Sequence, residues 1–122
     1  MSAFVASLHE VFERFGRIEA KRMFGGHGIY HEGRMFALVA NDVLYLKVDA
    51  DSAAEFDRLK LRAFEFAKSG KTIKTSYREA PVEMFEDRAE AALWARRGYE
   101  AALRSGQAPK NKPPRPRRAA AR

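Results

Sequence analysis

Residues 28–48, GIYHEGRMFALVANDVLYLKV, restrict the fold more than any other part of the chain. Apolar residues alternate there with a period of two, which is typical of β-strands. Two turn-forming pairs, Glu32-Gly33 and Asn41-Asp42, interrupt the run. The pattern predicts three antiparallel strands connected as a meander.

The register of this meander divides its side chains between two faces. With Asn41-Asp42 as a two-residue turn, the expected core face carries Tyr30, Met35, Ala37, Val39, Leu44, Leu46 and Val48. The second face then carries Ile29, His31, Phe36, Leu38, Tyr45 and Lys47. Such a face is unusually apolar for solvent exposure. We therefore expect a helix, a protein partner or a second copy of the chain to cover part of it.

Helical and strand patterns flank the meander. Apolar residues recur at helical spacing from Phe4 to Phe15, with Ser2 as a cap and Gly16 as a stop. Residues 51–59, DSAAEFDRL, predict a short helix with Ser52 and Glu55 in capping-box spacing. Residues 63–67 and 72–80 alternate like the strands of a hairpin joined through Ser69-Gly70.

A last helix is predicted from Asp87 to about Arg104. Its expected buried stripe consists of Ala89, Ala92, Leu93, Tyr99 and Leu103, with Trp94 at the edge. The element order predicts an α+β fold, in which an antiparallel sheet of a three-stranded meander plus a hairpin packs with N- and C-terminal helices.

The positive charge of the chain is concentrated at its C-terminal end. The formal net charge is +7, but six of the 23 basic residues and none of the 16 acidic ones lie beyond Arg104, which leaves +1 for residues 1–104. Four of the five prolines lie there as well. We predict a domain over 1–104 and a disordered basic tail over 105–122. The tail residues expected to contact DNA or the transcription machinery are Lys110, Lys112, Arg115, Arg117, Arg118 and Arg122.

The segment KRMFGGHGIY, residues 21–30, resembles a phosphate-binding loop only in composition. A phosphate loop joins a strand to a helix N-terminus, whereas a hairpin follows these glycines. We interpret Gly25, Gly26 and Gly28 as residues that allow positive φ and close backbone approach at a crossover from helix to sheet.

The histidines of this region do not predict a metal site. His27 and His31 share a strand face by alternation, but the register places Arg34 opposite His31, and a guanidinium disfavours a second cation. We expect no metal and no cofactor.

Other function classes are excluded or disfavoured by composition. The absence of cysteine excludes disulfides and thiolate chemistry. No apolar run approaches a membrane span, and the first residues do not resemble a signal peptide, so we expect a cytoplasmic protein. Tyr45, Lys47, Tyr77 and Arg78 could line a cleft, but such residues in strands more often pack on a sheet than act as acid and base. We expect no enzyme.

Three segments, RMFGGHGIYHEGRMFALVANDVLYLKVD, TSYREAPVEMFED and LWARRGYEAAL, resemble the N-terminal domain of the TfoX/Sxy family. The resemblance covers about residues 5–104. Its signature residues are Met23, Phe24, Gly25, Gly26, Gly28, Tyr45, Lys47, Tyr77 and Pro81.

The resemblance implies a small α+β domain with no known catalytic site. Longer members of the family act in the transcription of competence genes, as co-activators with the cyclic-AMP receptor protein. They carry a second, helical domain, and the chain resembles single-domain members that lack it. The resemblance therefore implies a non-enzymatic regulator. The alternative is a module that binds a protein partner or a second copy of itself, with no role for nucleic acid.

Overall fold

The computed structural model describes residues 3–23 and 25–105. The helices are α1 (Ala3–Val11), α2 (Ala53–Arg58), a 3₁₀ helix (Val82–Glu86) and α3 (Arg88–Arg104). The strands are β1 (Glu19–Met23), β2 (Gly26–His31), β3 (Arg34–Ala40), β4 (Val43–Lys47), β5 (Ala63–Lys68) and β6 (Lys71–Glu79). They form one antiparallel sheet in the order β1-β2-β3-β4-β6-β5. The predicted α+β class with an antiparallel sheet and terminal helices is confirmed.

The helices pack on one face of this sheet. Phe12, which follows α1, lies 5.8 Å from Phe36 of β3 between ring centroids. Phe56 of α2 lies 5.1 Å from Trp94 of α3. These residues belong to one buried cluster with Leu46 of β4. The hydrophobic core therefore lies between the helix layer and this face. No helix in the described ranges is both long and apolar enough to cross a membrane.

The predicted turns of the meander are confirmed. Asn41 and Asp42 both have positive φ, 53° and 59°, between the paired residues Ala40 and Val43. Positive φ at both central positions is the geometry of a tight hairpin turn whose twist matches the strands. Glu32-Gly33 and Ser69-Gly70 have the same geometry.

A β-bulge overturns part of the predicted assignment of faces. Tyr30 pairs with Met35, but Ile29 pairs with Ala37, so Phe36 is an extra residue on β3. One extra residue shifts the alternation of side chains by one position. Ile29 and Phe36 are consequently buried in the core rather than placed on the second face.

The same bulge moves other residues between the faces. Tyr30 and Met35 lie on the face away from the helices, next to Gly28, so their predicted place on the helix side of the sheet is wrong, although Tyr30 is buried. His31 packs against Phe15 and Tyr99 on the helix side, so its predicted place on the second face is wrong too. The remaining core predictions are confirmed because Ala37, Val39, Leu44, Leu46 and Val48 are all buried.

Helix α3 begins and ends as predicted but buries a different stripe. Asp87 caps it, and its side chain accepts hydrogen bonds from the amides of Ala89 and Glu90. The buried residues are Ala91, Trp94, Ala95, Gly98, Ala101 and Ala102, whereas Leu93 and Leu103 are 43% and 42% exposed. A Cβ at Gly98 would lie 3.0 Å from the carbonyl oxygen of Phe36. Small residues are buried because the helix backbone lies directly against the sheet.

Two local features differ from the prediction for simple reasons. Strand β1, EAKRM, was not predicted because an edge strand with two apolar residues carries no clear alternation. The capping box lies three residues earlier than predicted. The amide of Ser52 donates to Oδ1 of Asp49 at 3.0 Å, and the amide of Asp49 donates to Oγ of Ser52 at 3.1 Å. Ser52 therefore does not cap α2 with its own side chain.

Candidate functional site

The sheet face opposite the helices is the main candidate surface, and we call it the open face. Its exposed and half-buried side chains on the central and β5–β6 strands are Met35, Leu38, Tyr45, Lys47, Phe64, Phe66 and Ile73, with the more buried Tyr30 and Tyr77 among them. Within the described residues, no helix lies over this face. The expectation of a covering helix is therefore not met there, and the expectation of a covering partner stays a prediction.

At the centre of the open face, two lysines lie over two tyrosine rings. Nζ of Lys21 is 4.9 Å from the ring centroid of Tyr30, and Nζ of Lys47 is 5.2 Å from that of Tyr77. Lys47 also donates a hydrogen bond of 2.7 Å to Oγ of Ser76. These contacts are cation–π and hydrogen-bond contacts that hold the ammonium groups on the sheet.

Burial shifts the pKa values of Tyr77 and Lys47 in opposite directions. Burial raises the pKa of Tyr77 to about 12, with a smaller contribution from Tyr30, so the phenol stays neutral at physiological pH. Burial lowers the pKa of Lys47, and the carboxylate of Asp49 opposes this effect. Because the ammonium of Lys47 faces the ring of Tyr77, the two residues pack together as the sequence pattern suggested.

Three aromatic rings form a row along the open face, which we call the aromatic stripe: Tyr45, Phe64 and Phe66. The ring centroids of Tyr45 and Phe64 are 4.9 Å apart, and those of Phe64 and Phe66 are 6.0 Å apart with the planes tilted by only 27°. Phe66 is 41% exposed, and its cross-strand partner Ile73 is 37% exposed. The stripe therefore presents aromatic surface to solvent.

Charged residues surround the aromatic stripe. Partial burial raises the pKa of Tyr45, the carboxylate of Glu79 adds to the rise, and the guanidinium of Arg62 opposes it, so both charged groups lie near the phenol. At the other end, Lys68 pairs with Lys71 in the register, and both follow the alternation of Phe66 and Ile73. These two lysines therefore share the face of the stripe.

The outer end of the stripe belongs to a free-standing pair of strands, residues 65–68 and 71–74, which we call the ribbon. β4 pairs with β6 only from Tyr77 to Glu79, whereas the ribbon residues pair with one another. All residues from 65 to 74 are exposed. The ribbon carries Lys68, Lys71 and Lys74 against one acid, Glu65, which pairs with Lys74 on the opposite face. The ribbon is a projecting, cationic part of the fold.

A shallow depression of about 900 Å³ adjoins the stripe at Tyr45. Its charged lining is balanced, with the basic residues Arg62, Lys74 and Arg78 and the acidic residues Asp57, Glu65 and Glu79. Neither Lys47 nor Tyr77 lines it. The depression therefore does not form the cleft that an enzyme built on Tyr45, Lys47, Tyr77 and Arg78 would need.

The glycine-rich segment forms a hairpin between β1 and β2. Met23 pairs with Gly26, and Gly25 between them has a φ of 78°. A Cβ at Gly26 would collide with the carbonyl oxygen of Val39, and one at Gly28 would lie 2.8 Å from the sulfur of Met23. Close backbone approach and one positive φ are thus confirmed, but the predicted crossover from helix to sheet is wrong because a strand precedes the glycines.

The histidines of this hairpin have separate surroundings. Nδ1 of His31 lies 2.7 Å from the carbonyl oxygen of Arg17. Nε2 of His27 is buried and has no hydrogen-bond partner among the described residues. Within residues 3–23 and 25–105, no three His, Asp or Glu side chains come together as metal ligands would.

The signature residues fall into two groups on the sheet. Met23, Gly25, Gly26 and Gly28 lie in the β1–β2 hairpin, and Tyr45, Lys47 and Tyr77 lie on the open face of β4 and β6. Tyr30 connects the groups because it lies beside Gly28 and adds to the raised pKa of Tyr77. Pro81 is buried just before the 3₁₀ helix.

Some predicted residues lie outside the described part of the chain, and some residues of the open face were not predicted. Phe24 and the tail residues Lys110, Lys112, Arg115, Arg117, Arg118 and Arg122 lie outside the described residues. The sequence prediction did not single out Phe64, Phe66, Arg62, Lys68 or Lys71. The alternation of Phe64 and Phe66, followed by lysines in a hairpin, was the signal that could have identified them.

Comparison with known proteins gives two matches. The sequence profile of the TfoX N-terminal domain family matches residues 10–102. The DNA transformation protein TfoX1 of Aliivibrio fischeri (strain ATCC 700601 / ES114) is 30% identical over 81 residues, which cover 66% of this chain and 38% of that protein. The chain thus spans well under half the length of this relative.

Proposed function

The chain belongs to the TfoX N-terminal domain family, and from this we propose that it is a non-enzymatic regulatory protein acting in the transcriptional control of competence. It contacts DNA without base selectivity through the basic residues beyond Arg104. The observation that carries the proposal is the separation of charge: residues 1–104 are nearly neutral, while Lys110, Lys112, Arg115, Arg117, Arg118 and Arg122 stand without any acid.

The positions of Tyr77 and Lys47 support the non-enzymatic part of the proposal. Tyr77 holds its proton because its pKa is about 12, and the ammonium of Lys47 is fixed on the ring rather than on the hydroxyl. The depression next to the stripe excludes both residues. The packing of Lys47 on the ring of Tyr77, away from the depression, supports the non-enzymatic part of the proposal.

Salt dependence tests the DNA contact. With about four to six phosphates neutralised by the tail, the logarithm of duplex affinity should fall against the logarithm of salt with a slope near −4 to −5. In a full-length variant with the six tail cations changed to Gln, this slope should become close to zero. A control with three cations of the folded surface changed to Gln, at Arg14, Arg17 and Lys60, should keep most of the slope. An unchanged slope in the tail variant would place the contact elsewhere.

Transcription in the native cell tests the regulatory role. Deletion of the gene should lower transcription from competence promoters, and the full chain should restore it. The tail-neutralised chain should restore it less well. Unaltered transcription after deletion would remove the competence role, even if DNA binding in vitro were intact.

The second candidate function is a protein-binding module, and the open face favours it. Phe66 and Ile73 are exposed apolar residues on a face that no described helix covers. Sedimentation of the full chain at micromolar concentration distinguishes the candidates. A dimer that persists in the tail-neutralised variant and dissociates after an open-face substitution favours the module.

A further inference from the structure

The aromatic stripe has the spacing and exposure of a stacking surface. Tyr45, Phe64 and Phe66 follow one another at 4.9 and 6.0 Å between centroids, along one face of the sheet. Phe66 is exposed and Tyr45 and Phe64 are half-buried, and nucleobases are partners whose flat faces can stack on such rings. The outermost ring, Phe66, is the most exposed of the three.

The charges around the stripe complement a phosphate backbone. Lys68 and Lys71 lie beyond Phe66 at the tip of the ribbon, and Arg62 lies near Tyr45 at the inner end. Glu79 is the acid beside Tyr45, while Glu65 pairs with Lys74 on the other face of the ribbon. A backbone that follows the three rings would therefore meet two lysines at the outer end, and Arg62 together with Glu79 at the inner end.

We propose that the aromatic stripe binds single-stranded nucleic acid, with bases stacked on Phe66, Phe64 and Tyr45 and phosphates contacted by Lys68, Lys71 and Arg62. The proposal rests on the proposed function in taking nucleic acid as the partner, but it places a base-contacting footprint on the folded body. A single strand fits better than a duplex because the bases of a duplex are already stacked on one another and cannot lie on the rings.

Substitutions at Phe66 separate stacking from general apolar contact. The probes are fluorescein-labelled oligo(dT) and oligo(rU) of about twenty nucleotides, which is longer than the site of one such surface, and a duplex of equal length. Phe66→Leu keeps an apolar side chain without a ring and should weaken oligo(dT) binding by the full-length protein about tenfold. Phe66→Tyr should bind like the wild type. Leu93→Ala, an exposed apolar change on α3, is the control and should have no effect.

Two further measurements report on the geometry. Phe66→Trp should retain affinity, and its indole fluorescence should be quenched when oligo(dT) is added, against the constant background of the buried Trp94. Lys68→Gln with Lys71→Gln should reduce the salt slope for oligo(dT) by about 1.4, at about 0.7 per phosphate contact on a single strand. Comparison of oligo(dT) with oligo(rU) decides between DNA and RNA as the source of the strand.

Failure of this proposal is distinguishable from failure of the proposed function. In the tail-neutralised chain, residual oligo(dT) binding should still depend on Phe66. If Phe66→Leu binds oligo(dT) as tightly as the wild type, the stacking proposal is wrong. It is also wrong if the duplex displaces oligo(dT) as well as unlabelled oligo(dT) does and this displacement depends on Phe66. In both cases tail-dependent DNA binding stands. If Phe66→Leu dissociates a dimer and leaves nucleic-acid binding unchanged, the stripe is a protein interface. Melting curves of each variant confirm that the fold is retained.

Discussion

At the scale of single residues, Gly26 is the glycine of the β1–β2 hairpin with the least room. A Cβ there would collide with the carbonyl oxygen of Val39, which the sheet holds in place, whereas a Cβ at Gly25 would have nothing within 4 Å. We expect Gly26→Ala to lower the free energy of unfolding by about 2 to 4 kcal/mol. Gly25→Ala should cost only about 1 kcal/mol, from its φ of 78°. Urea denaturation measures both, and equal losses would contradict the geometry.

The ion pair of Asp49 and Arg104 predicts a pH dependence of stability. Nε and Nη2 of Arg104 donate to the two carboxylate oxygens of Asp49 at 2.7 and 3.0 Å. These bonds, with smaller contributions from hydrogen bonds to Ser52, lower the pKa of Asp49 from 3.8 to about 2. A lowered pKa in the folded state stabilises the protein above pH 4, and this stabilisation is lost as the pH falls from about 4 through 2.

Arg104→Gln should therefore lower the urea midpoint at neutral pH. The difference from the wild type should shrink as the pH approaches 2, because protonation of Asp49 removes the interaction from both proteins. Arg14→Gln is the control, because Arg14 is exposed and forms no ion pair with the described residues, so its effect should not depend on pH in this range. A difference between wild type and Arg104→Gln that persists below pH 2 would mean that packing of the arginine stem, rather than the ion pair, stabilises the fold.

At the scale of elements, the ribbon should open independently of the sheet. Its strands pair only with each other, and an isolated two-stranded hairpin is of marginal stability in water. We expect the amides between residues 65 and 74 to exchange with solvent far faster than those of Ala37 and Leu46, which lie on central strands. Hydrogen exchange followed by NMR measures this. Equal protection of ribbon and core would show that something else covers the ribbon.

The elements also show which features could be predicted from the sequence. Turn pairs such as Asn41-Asp42 and the cap Asp87 were predictable because they depend on local backbone chemistry. The bulge at Phe36 was not, because it depends on which of two neighbouring apolar residues fits beneath the helices. The buried face of α3 was missed for a similar reason: close packing on the sheet favours Ala95 and Gly98 over Leu93.

The candidate site was predictable in part. Tyr45, Lys47 and Tyr77 were expected on strands, and the register does bring Lys47 and Tyr77 opposite each other. The contact of Phe64 with Tyr45 could not be predicted because it depends on the irregular pairing of β5 with β6 near residue 64. Sequence patterns thus located the strands, while long-range pairing determined which rings meet.

At the scale of the whole molecule, the stability of the folded domain should not depend on the basic C-terminal segment. Within residues 3–23 and 25–105, the buried cluster extends from Val5 to Ala102. We expect deletion of residues 106–122 to change the melting temperature little, because segments outside a core contribute little to stability. Differential scanning calorimetry at equal salt measures this. A large drop in the melting temperature would show that the deleted segment packs on the domain.

The ion pair of Asp49 and Arg104 has a further consequence for how the protein would bind a long polyanion. It fixes the last turn of α3 to Asp49, which lies two residues beyond the end of β4 at Lys47. The basic C-terminal segment therefore begins at a fixed point close to the open face. The two proposed attachments, the basic C-terminal segment and the aromatic stripe, would then act together, because the first would raise the local concentration of the second to about the millimolar range. The molecule could thus remain on a strand through successive exchanges of either attachment, and its residence time would depend on the distance that Arg104 sets between them.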